Sequence, residues 1–199
     1  MNARSLGEQQ NEDDVNRDAR HAADLVDRRL LSAIANDRDE VAMETLYRHY
    51  QDRLVPFLYR LTHDRALIEE TYNEVMLKVW RKAHQYKGQS MVSSWIFSIG
   101  YRTCLRMIKK AQRGEFASSD SLAFDAAHEG DNPLRERMVH QALGQLSPDH
   151  RMVLELAYFQ GLATQEIAQI VGRPVNTVKT RLHHARNKMR DILGDAHGL

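Results

Sequence analysis

The sequence has few of the residues that cross-link a chain, span a bilayer or build a sheet. Among its 199 residues, Cys104 is the one cysteine, which excludes an internal disulfide and argues against a cysteine-based metal site. No apolar run approaches the roughly 20 residues of a membrane-spanning helix. The first eight residues lack the apolar core of a signal peptide, and no segment alternates apolar and polar residues as a strand does. We therefore expect an all-α, cytoplasmic protein without membrane insertion.

Recognisable catalytic and metal-binding patterns are also missing. The sequence has no Ser/His/Asp set, phosphate-binding loop or paired-carboxylate motif, so we expect no enzyme activity and no cofactor. Its ten histidines are scattered, apart from the adjacent pair His183 and His184. Neighbouring side chains on a helix diverge, so this pair is not expected to chelate one ion. No metal site is predicted.

Charge is nearly balanced but unevenly placed along the chain. The formal net charge is +1, which alone does not indicate a nucleic-acid partner. Residues 114–132 contain five acidic residues and no Lys or Arg, whereas basic residues concentrate in 102–113 and 175–190. Solvated helix faces would also explain basic segments. Two basic segments with an acidic segment between them nevertheless favour two DNA contacts.

Helical periodicity recurs through most of the chain and predicts two small helical domains. The first 24 residues are polar and poor in large apolar groups, which predicts a mobile tail over 1–24. The domains are expected over 25–112 and 134–199, joined by an acidic flexible linker over 113–133. The predicted helices lie at about 25–36, 40–61, 64–84, 92–112, 134–145, 148–160, 164–171 and 175–193.

The most informative local pattern is a short amphipathic helix followed by Gly172-Arg173-Pro174 and a second helix. Gly172 can take the left-handed conformation that ends a helix, and Pro174 presets the backbone for the next one. The spacing predicts a helix-turn-helix, whose second helix enters a DNA major groove. An apolar stripe on this helix is expected to face a core: Val175, Val178, Leu182, Ala185 and Met189. The opposite side carries groups suited to base edges and phosphates: Asn176, Thr180, His183, His184 and Asn187, flanked by Lys179, Arg186 and Arg190.

Two helices of the first domain carry ordered charge. In the helix near 64–84, acidic residues precede basic ones, an order that complementarity to the helix dipole alone would explain. In the helix near 92–112, Arg102, Arg106, Lys109 and Arg113 are spaced 4, 3 and 4 and so share a face. Like charges repel along such a stripe, which favours an anionic partner such as a DNA backbone over a merely solvated face.

Two separate motifs carry a family resemblance that covers nearly the whole ordered chain. The C-terminal motif comprises Ala142 to Pro148, Arg151, Val153 to Leu156, Gly161-Leu162, Glu166-Ile167-Ala168 and Thr177 to Leu182. The N-terminal motif comprises Leu46-Tyr47-Arg48-His49-Tyr50, Ala66 to Trp80, and the segment from Tyr86-Lys87-Gly88 to Ser94-Trp95-Ile96. The first resembles domain 4 of a bacterial sigma factor, and the second resembles domain 2. With only two domains and a short linker, the chain is similar to the extracytoplasmic function group of the sigma-70 family.

The resemblance implies a subunit that binds core RNA polymerase, through its clamp helices and flap, and promoter DNA at two elements. The residues implied at the polymerase are Glu69, Glu70, Asn73, Glu74, Lys78 and Arg81. Those implied at the −10 element are Lys87, Gln89, Ser90, Trp95, Arg102, Arg106, Lys109 and Lys110. For Trp95, a place in the buried core is the favoured alternative to stacking on a base. Those implied at the −35 element are Arg173, Asn176, Lys179, Thr180, Arg181, His183, His184, Arg186 and Asn187.

Four positions depart from the family pattern. Asn73 stands where the family commonly has Gln, which is a mild change. Arg102 and Arg106 stand where the family usually has Asn and Asp, so an altered −10 preference is expected. Ala163 stands where the family usually has the Ser that caps the first helix of the helix-turn-helix, and Thr164 is expected to take over the cap.

Two other classes of protein compete with a sigma factor. A repressor or response regulator needs only the C-terminal domain, with a dimer surface or a receiver fold that residues 25–112 do not suggest. A helical enzyme needs a reactive constellation, which the sequence lacks.

The resemblance also implies regulation by an anti-sigma factor that covers these faces. The polar linker predicts two domains that sample many separations, which such an inhibitor would clamp together. Regulation by synthesis alone, or shielding of the basic helices by the chain's own acidic segments, are the alternatives.

Overall fold

The computed structural model describes the backbone of residues 3–114, 133–158 and 160–195, and side chains over 19–114, 138–139, 141–158 and 160–194. Every regular element in these ranges is helical, which confirms the all-α prediction. Within the same ranges, none of the helices combines the length and the apolar character that crossing a membrane requires.

The N-terminal half contains the helices α1 (Ala3–Asp37), α2 (Glu40–Tyr59), α3 (Arg65–Lys82) and α4 (Val92–Gln112), with a 3-10 turn at Ala83–Gln85. Two aspartates set the starts of helices. The Asp39 side chain accepts hydrogen bonds from the backbone N–H groups of Val41 and Ala42, at 2.9 and 3.0 Å, and Asp64 accepts one from Leu67 at 3.1 Å. Each cap satisfies donors that the first turn of a helix leaves unpaired.

The C-terminal half contains α5 (Pro133–Gly144), α6 (Pro148–Tyr158), α7 (Thr164–Val171) and α8 (Val175–Asp195). Arg151 joins α5 to α6, because its guanidinium donates to the carbonyls of Leu143 and Gly144 at 2.9 and 3.0 Å. Gly172 ends α7 with φ +64°, the left-handed conformation that glycine adopts without strain. The predicted helix-turn-helix is therefore formed by α7 and α8.

The sequence predicted a mobile tail over 1–24, whereas the described backbone of residues 3–24 is helical and belongs to α1. α1 begins at Ala3 and runs for 35 residues, whereas the sequence predicted a helix only from about 25. Periodicity missed this extension because few large apolar residues mark a buried side. Polar contacts hold residues 20–24 of this extension instead. Asp24 accepts from the backbone N–H of Val92 at 2.7 Å, and Arg20 donates to Glu166 at 3.2 Å.

The sequence also predicted that the two halves sample many separations, whereas among the described residues the halves pack together. α7 lies against α4, and one continuous apolar core includes side chains from both halves, among them Phe97 and Ile167. The Glu166 carboxylate joins three helices across this boundary, since it accepts hydrogen bonds from Arg20 of α1, Ser94 of α4 and the backbone N–H of Ala163. The predicted flexible linker lies almost entirely in 115–132, outside the described residues.

A second carboxylate is buried where the halves meet. Glu155 of α6 is 1% exposed, and its Oε2 lies 2.9 Å from Nη1 of Arg60, which caps the C-terminus of α2. Neither carboxylate oxygen has a hydrogen-bond partner among the described residues, so the contact is an ion pair without a well-formed hydrogen bond. Burial raises the pKa of Glu155 to about 7, although the charges of Arg60 and Arg151 act to lower it.

We predict that stability depends on pH through Glu155. With a pKa of about 7 when folded and 4.5 when exposed, this group holds its proton more tightly in the folded protein. Its contribution to the free energy of unfolding is therefore full below pH 4.5 and is lost as the pH rises to 7, by at most about 1.4 kcal/mol per pH unit. Glu155→Gln should remove this part of the pH dependence in urea titrations. A constant difference between the two proteins across that window would contradict the assignment.

Candidate nucleic-acid and protein interfaces

α8 separates an apolar side from a polar one. Val178, Leu182 and Ala185 are buried, and Val175 and Met189 are partly buried, so the apolar stripe faces the core as predicted. The predicted DNA-facing side is exposed at most of its positions: Arg173, Asn176, Lys179, Thr180, His183, His184 and Arg186, with Asn187 half-buried. From Val175 to Arg190 the helix carries five basic residues and no acidic one. Such a face can place donors against base edges and cations against phosphates.

Contacts within α8 orient several of these side chains. Asn187 and His183 lie one turn apart with their side-chain nitrogens 3.1 Å apart, and the Thr180 hydroxyl donates to the Asn176 carbonyl at 3.0 Å. The rings of His183 and His184 meet edge to face, with centroids 5.8 Å apart. Among the described residues, no group of His, Cys, Asp or Glu side chains is arranged to hold a metal ion.

Two arginines of α8 differ in what they can offer DNA. Arg181 forms an ion pair with Asp149 of α6, and its side chain is only 19% exposed. Arg186 is exposed and lies over the ring of Tyr158, 5.4 Å from the centroid. Both arginines were predicted to contact DNA, but in the structure the charge of Arg181 is already paired with a carboxylate of the C-terminal half.

The acidic residues of α3 fall into two groups. Glu70 is exposed and pairs with no described side chain, and exposed Glu69 pairs with Arg65 one turn away at 3.1 Å. Glu74 is more enclosed, since it contacts Lys78 at 2.9 Å and also Arg106 of α4. Burial raises the pKa of Glu74, but the hydrogen bonds and charges of Lys78 and Arg106 together outweigh burial and place it below the ordinary value.

The other predicted polymerase residues lie on or beside this surface. Asn73 accepts a hydrogen bond from the hydroxyl of Tyr47 at 2.9 Å, which fixes its amide, and Arg81 is exposed. The structure therefore brings Arg106, predicted for DNA, into contact with Glu74, predicted for polymerase.

The loop before α4, residues 86–91, and α4 itself carry the remaining predicted DNA residues. Lys87 and Gln89 are exposed and Ser90 is half-buried. Trp95 is half-buried and packs against Tyr86, with ring centroids 5.6 Å apart. On α4 the exposed cations are Arg102, Arg106 and Lys109, with Lys110 half-buried. Arg102 donates to the Ser98 hydroxyl at 2.6 Å, one turn earlier.

Comparison with known proteins agrees with this arrangement. The family description "Sigma-70 region 2" matches residues 46–114, and "Sigma-70, region 4" matches residues 136–189. The two matches cover the loop with α4 and the helix-turn-helix. The chain belongs to the sigma-70 family.

Individual relatives place this sigma factor in the extracytoplasmic function group. The ECF RNA polymerase sigma factor RpoE of Cereibacter sphaeroides is 29% identical over 166 residues, which cover 81% of this chain and 91% of the relative. The RNA polymerase sigma-H factor of Pseudomonas aeruginosa is 29% identical over 171 residues, covering 78% and 88%.

Solved structures agree. The sigma factor RpoE from Bartonella quintana, in complex with the anti-sigma factor NepR, is 26% identical with a TM-score of 0.59, covering 71% of this chain and 89% of that one. CnrH, in complex with the cytosolic domain of CnrY, shares the fold with a TM-score of 0.63 at 19% identity, covering 85% and 98%.

A sigma factor binds core RNA polymerase and directs it to promoter DNA, and that is the function of this chain.

One sequence expectation about the helix-turn-helix is corrected. Ala163, not Thr164, is the N-cap of α7, and the missing side-chain acceptor is not replaced. Glu166 supplies the other half of the capping box by accepting from the Ala163 N–H at 2.8 Å.

Sequence reasoning missed several polar residues of this sigma factor that join its elements, chiefly Arg20, Asp24 and Arg28 of α1. A signal for Arg20 and Asp24 exists in the sequence. Counting back from the buried Leu31 by four, three and four residues reaches Asp27, Asp24 and Arg20, so these charged residues continue the buried face of α1. Charged residues on such a face indicate specific partners, because an unpaired buried charge is costly.

We predict that Arg186→Ala and Arg181→Ala affect different properties. Loss of a phosphate contact at Arg186 should weaken binding to all DNA sites alike and reduce the salt slope by about 1. Loss of the Arg181–Asp149 pair should lower the free energy of unfolding by up to about 1 kcal/mol and change the salt slope less. DNA titrations at several salt concentrations, together with urea unfolding, measure both effects. Equal changes of slope would show that Arg181 also reaches phosphate.

Proposed function

We propose that residues 25–112 act as sigma domain 2 and residues 134–199 as sigma domain 4, each with its own ligands. The observation that carries this proposal is the two-sided character of α8, whose apolar side is buried while an exposed side is basic and free of acidic residues. Domain 4 then reads the −35 element through Thr180, His183, His184 and Asn187, with Lys179 and Arg186 at phosphates.

The same proposal assigns α3 to core polymerase. Glu70 supports it best, because an exposed carboxylate that pairs with no described side chain is available to a partner without breaking an internal contact. Glu69, Asn73 and Arg81 extend the exposed surface around it. The polymerase clamp helices would contact this surface, and the flap would contact domain 4.

For the −10 element we propose the 86–91 loop and the exposed cations of α4. Lys87 and Gln89 project outward from the loop, and Arg102 and Lys109 lie exposed on the helix that follows it. Cations along one helix can follow a DNA backbone, while a loop can hold an unstacked base. Arg102 and Arg106 stand where the family usually has Asn and Asp, so an altered −10 preference is part of this proposal.

Regulation and location follow from this role. An anti-sigma factor is proposed as a further partner, because the related sigma factor from Bartonella quintana was solved with one, NepR. A protein that works with core polymerase on promoter DNA acts in the cytoplasm, and we propose that location. We also propose that the chain has no catalytic activity of its own, in keeping with a family of transcription regulators.

We predict that Glu70→Lys prevents co-purification with core RNA polymerase. The substitution reverses the charge of an exposed side chain and removes no ion pair between described residues, so helical circular dichroism should not change. Glu74→Lys is a poorer test, because it would also break the contacts to Lys78 and Arg106.

The matched control is Glu44→Lys on α2, which makes the same charge reversal at an exposed residue whose partner among the described side chains is Arg48, one turn along the helix. This control should retain polymerase. If Glu70→Lys also retains polymerase, α3 is not the docking helix.

We further predict that Thr180→Ala and His183→Ala change the −35 sequence preference. A base contact distinguishes one base from the others by about 1–3 kcal/mol, so selection from randomised −35 sequences should relax at one or two positions. Arg186→Ala is the comparison, because loss of a phosphate contact lowers affinity without changing the selected sequence. If all three variants select the sequence that the wild type selects, the base-facing side of α8 is assigned wrongly.

A further inference from the structure

The start of α4 is capped by a residue from a different helix. Met91, the N-cap, has no side-chain hydrogen bond to the first turn of α4. Asp24 of α1 provides one instead, because its Oδ1 accepts from the backbone N–H of Val92 at 2.7 Å. This places a carboxylate at the N-terminus of a helix, where negative charge is favourable. The end of the 86–91 loop is therefore fixed by α1.

Arg28, one turn along α1, contacts the same loop. Its Nε lies 2.5 Å from Oδ2 of Asp24, and its Nη2 donates to the Ser90 carbonyl at 3.2 Å. The guanidinium also lies over the ring of Tyr86, 5.6 Å from the centroid. A single side chain thus contacts both ends of the loop and the carboxylate that caps α4.

Gly88 gives independent evidence that the loop is built around Arg28. Its φ is +70°, and a Cβ atom at this position would lie 3.2 Å from Nη1 of Arg28. A larger residue would be strained by the backbone and crowded by the guanidinium. The inner side of the loop is consequently occupied by Arg28, while the Lys87 and Gln89 side chains are exposed on the outside.

We propose that Asp24 and Arg28 are positioning residues for −10 recognition, which hold the 86–91 loop ready for the DNA strand without touching it. The proposal rests on the proposed function of that loop. A loop already ordered by α1 loses little conformational freedom when DNA binds, and its outer side chains keep the geometry that base discrimination needs. Without these two residues the loop loses their contacts from α1, and more of its ordering must occur when DNA binds.

The negative charge of Asp24 makes the proposal testable, because electrostatics and positioning predict opposite changes in DNA affinity when Asp24 is removed. Removal of an acidic group near DNA should strengthen binding if electrostatics alone matters. If Asp24 positions the loop, Asp24→Ala should weaken binding instead. A phosphate contact by Arg28 would show as a salt slope reduced by about 1 in Arg28→Ala, whereas a positioning role leaves the slope unchanged.

The experiment uses the full chain assembled with core polymerase and promoter fragments that carry selected −35 and −10 sequences. Dissociation constants are measured for the selected −10 sequence and for its single-base variants at several salt concentrations. Asp24→Ala and Arg28→Ala should lower discrimination between these sequences by about tenfold, with unchanged salt slopes. Asp24→Asn retains an acceptor for Val92 and so protects folding, but it loses the ion pair to Arg28 and should show a smaller loss. Arg29→Ala, an exposed neighbour on the same helix, should behave as the wild type.

Gln89→Ala and Lys87→Ala distinguish the positioning role of α1 from the proposed function of the loop. If these loop variants change −10 discrimination while Asp24→Ala, Asp24→Asn and Arg28→Ala do not, the positioning role is overturned and the proposed function of the loop stands. If none of the five variants changes discrimination, the loop does not read the −10 element and both proposals fall. A reduced salt slope in Arg28→Ala would overturn the positioning role of Arg28 by making it a direct DNA contact.

Discussion

The Glu166 carboxylate is the point at which α1, α4 and the helix-turn-helix are held together. It accepts hydrogen bonds from Arg20 of α1, from Ser94 of α4 and from the Ala163 backbone, and its side chain is only 15% exposed. A largely buried carboxylate requires such partners, since its desolvation is costly without them. Through this requirement a single acidic residue fixes how α7 sits on α4, and α7 in turn orients α8.

The long helix α1 is held in place by the same requirement, that charged side chains away from solvent need polar partners. Asp24 and Arg20 lie one turn apart on a face that continues the buried side of the helix. Asp24 accepts from the first turn of α4, and Arg20 pairs with Glu166, the carboxylate that accepts from the N-cap of α7. Helix N-termini carry unpaired N–H groups and partial positive charge, so carboxylates are drawn to them. α1 is therefore joined to both halves by polar groups at helix ends, in addition to the apolar packing farther along the helix around Leu31 and Ile34.

Local patterns were sufficient to predict most of the fold. The helices α2 to α8 were expected close to their observed bounds, and the Gly172 turn and the apolar side of α8 followed from glycine conformation and 3.6-residue periodicity. The start of α1 and the packing of the halves were not predictable in this way. They depend on pairs such as Arg20 with Glu166, which are 146 residues apart, and on the buried Glu155 beside Arg60. No periodicity within one segment identifies the partner of a polar residue in another segment.

The same limit applies to charge at the proposed DNA surfaces. The sequence counts Arg106 and Arg181 among the cations available to phosphates, yet Glu74 pairs with the first and Asp149 with the second. A cation that already neutralises a carboxylate brings less net charge to DNA, and it must give up that contact to bind a phosphate tightly. Lys179 and Arg186 on α8 and Lys109 on α4 are exposed and carry no ion pair to a described carboxylate. Three-dimensional pairing, more than the number of basic residues along a helix, therefore sets how strongly each half of this sigma factor responds to salt.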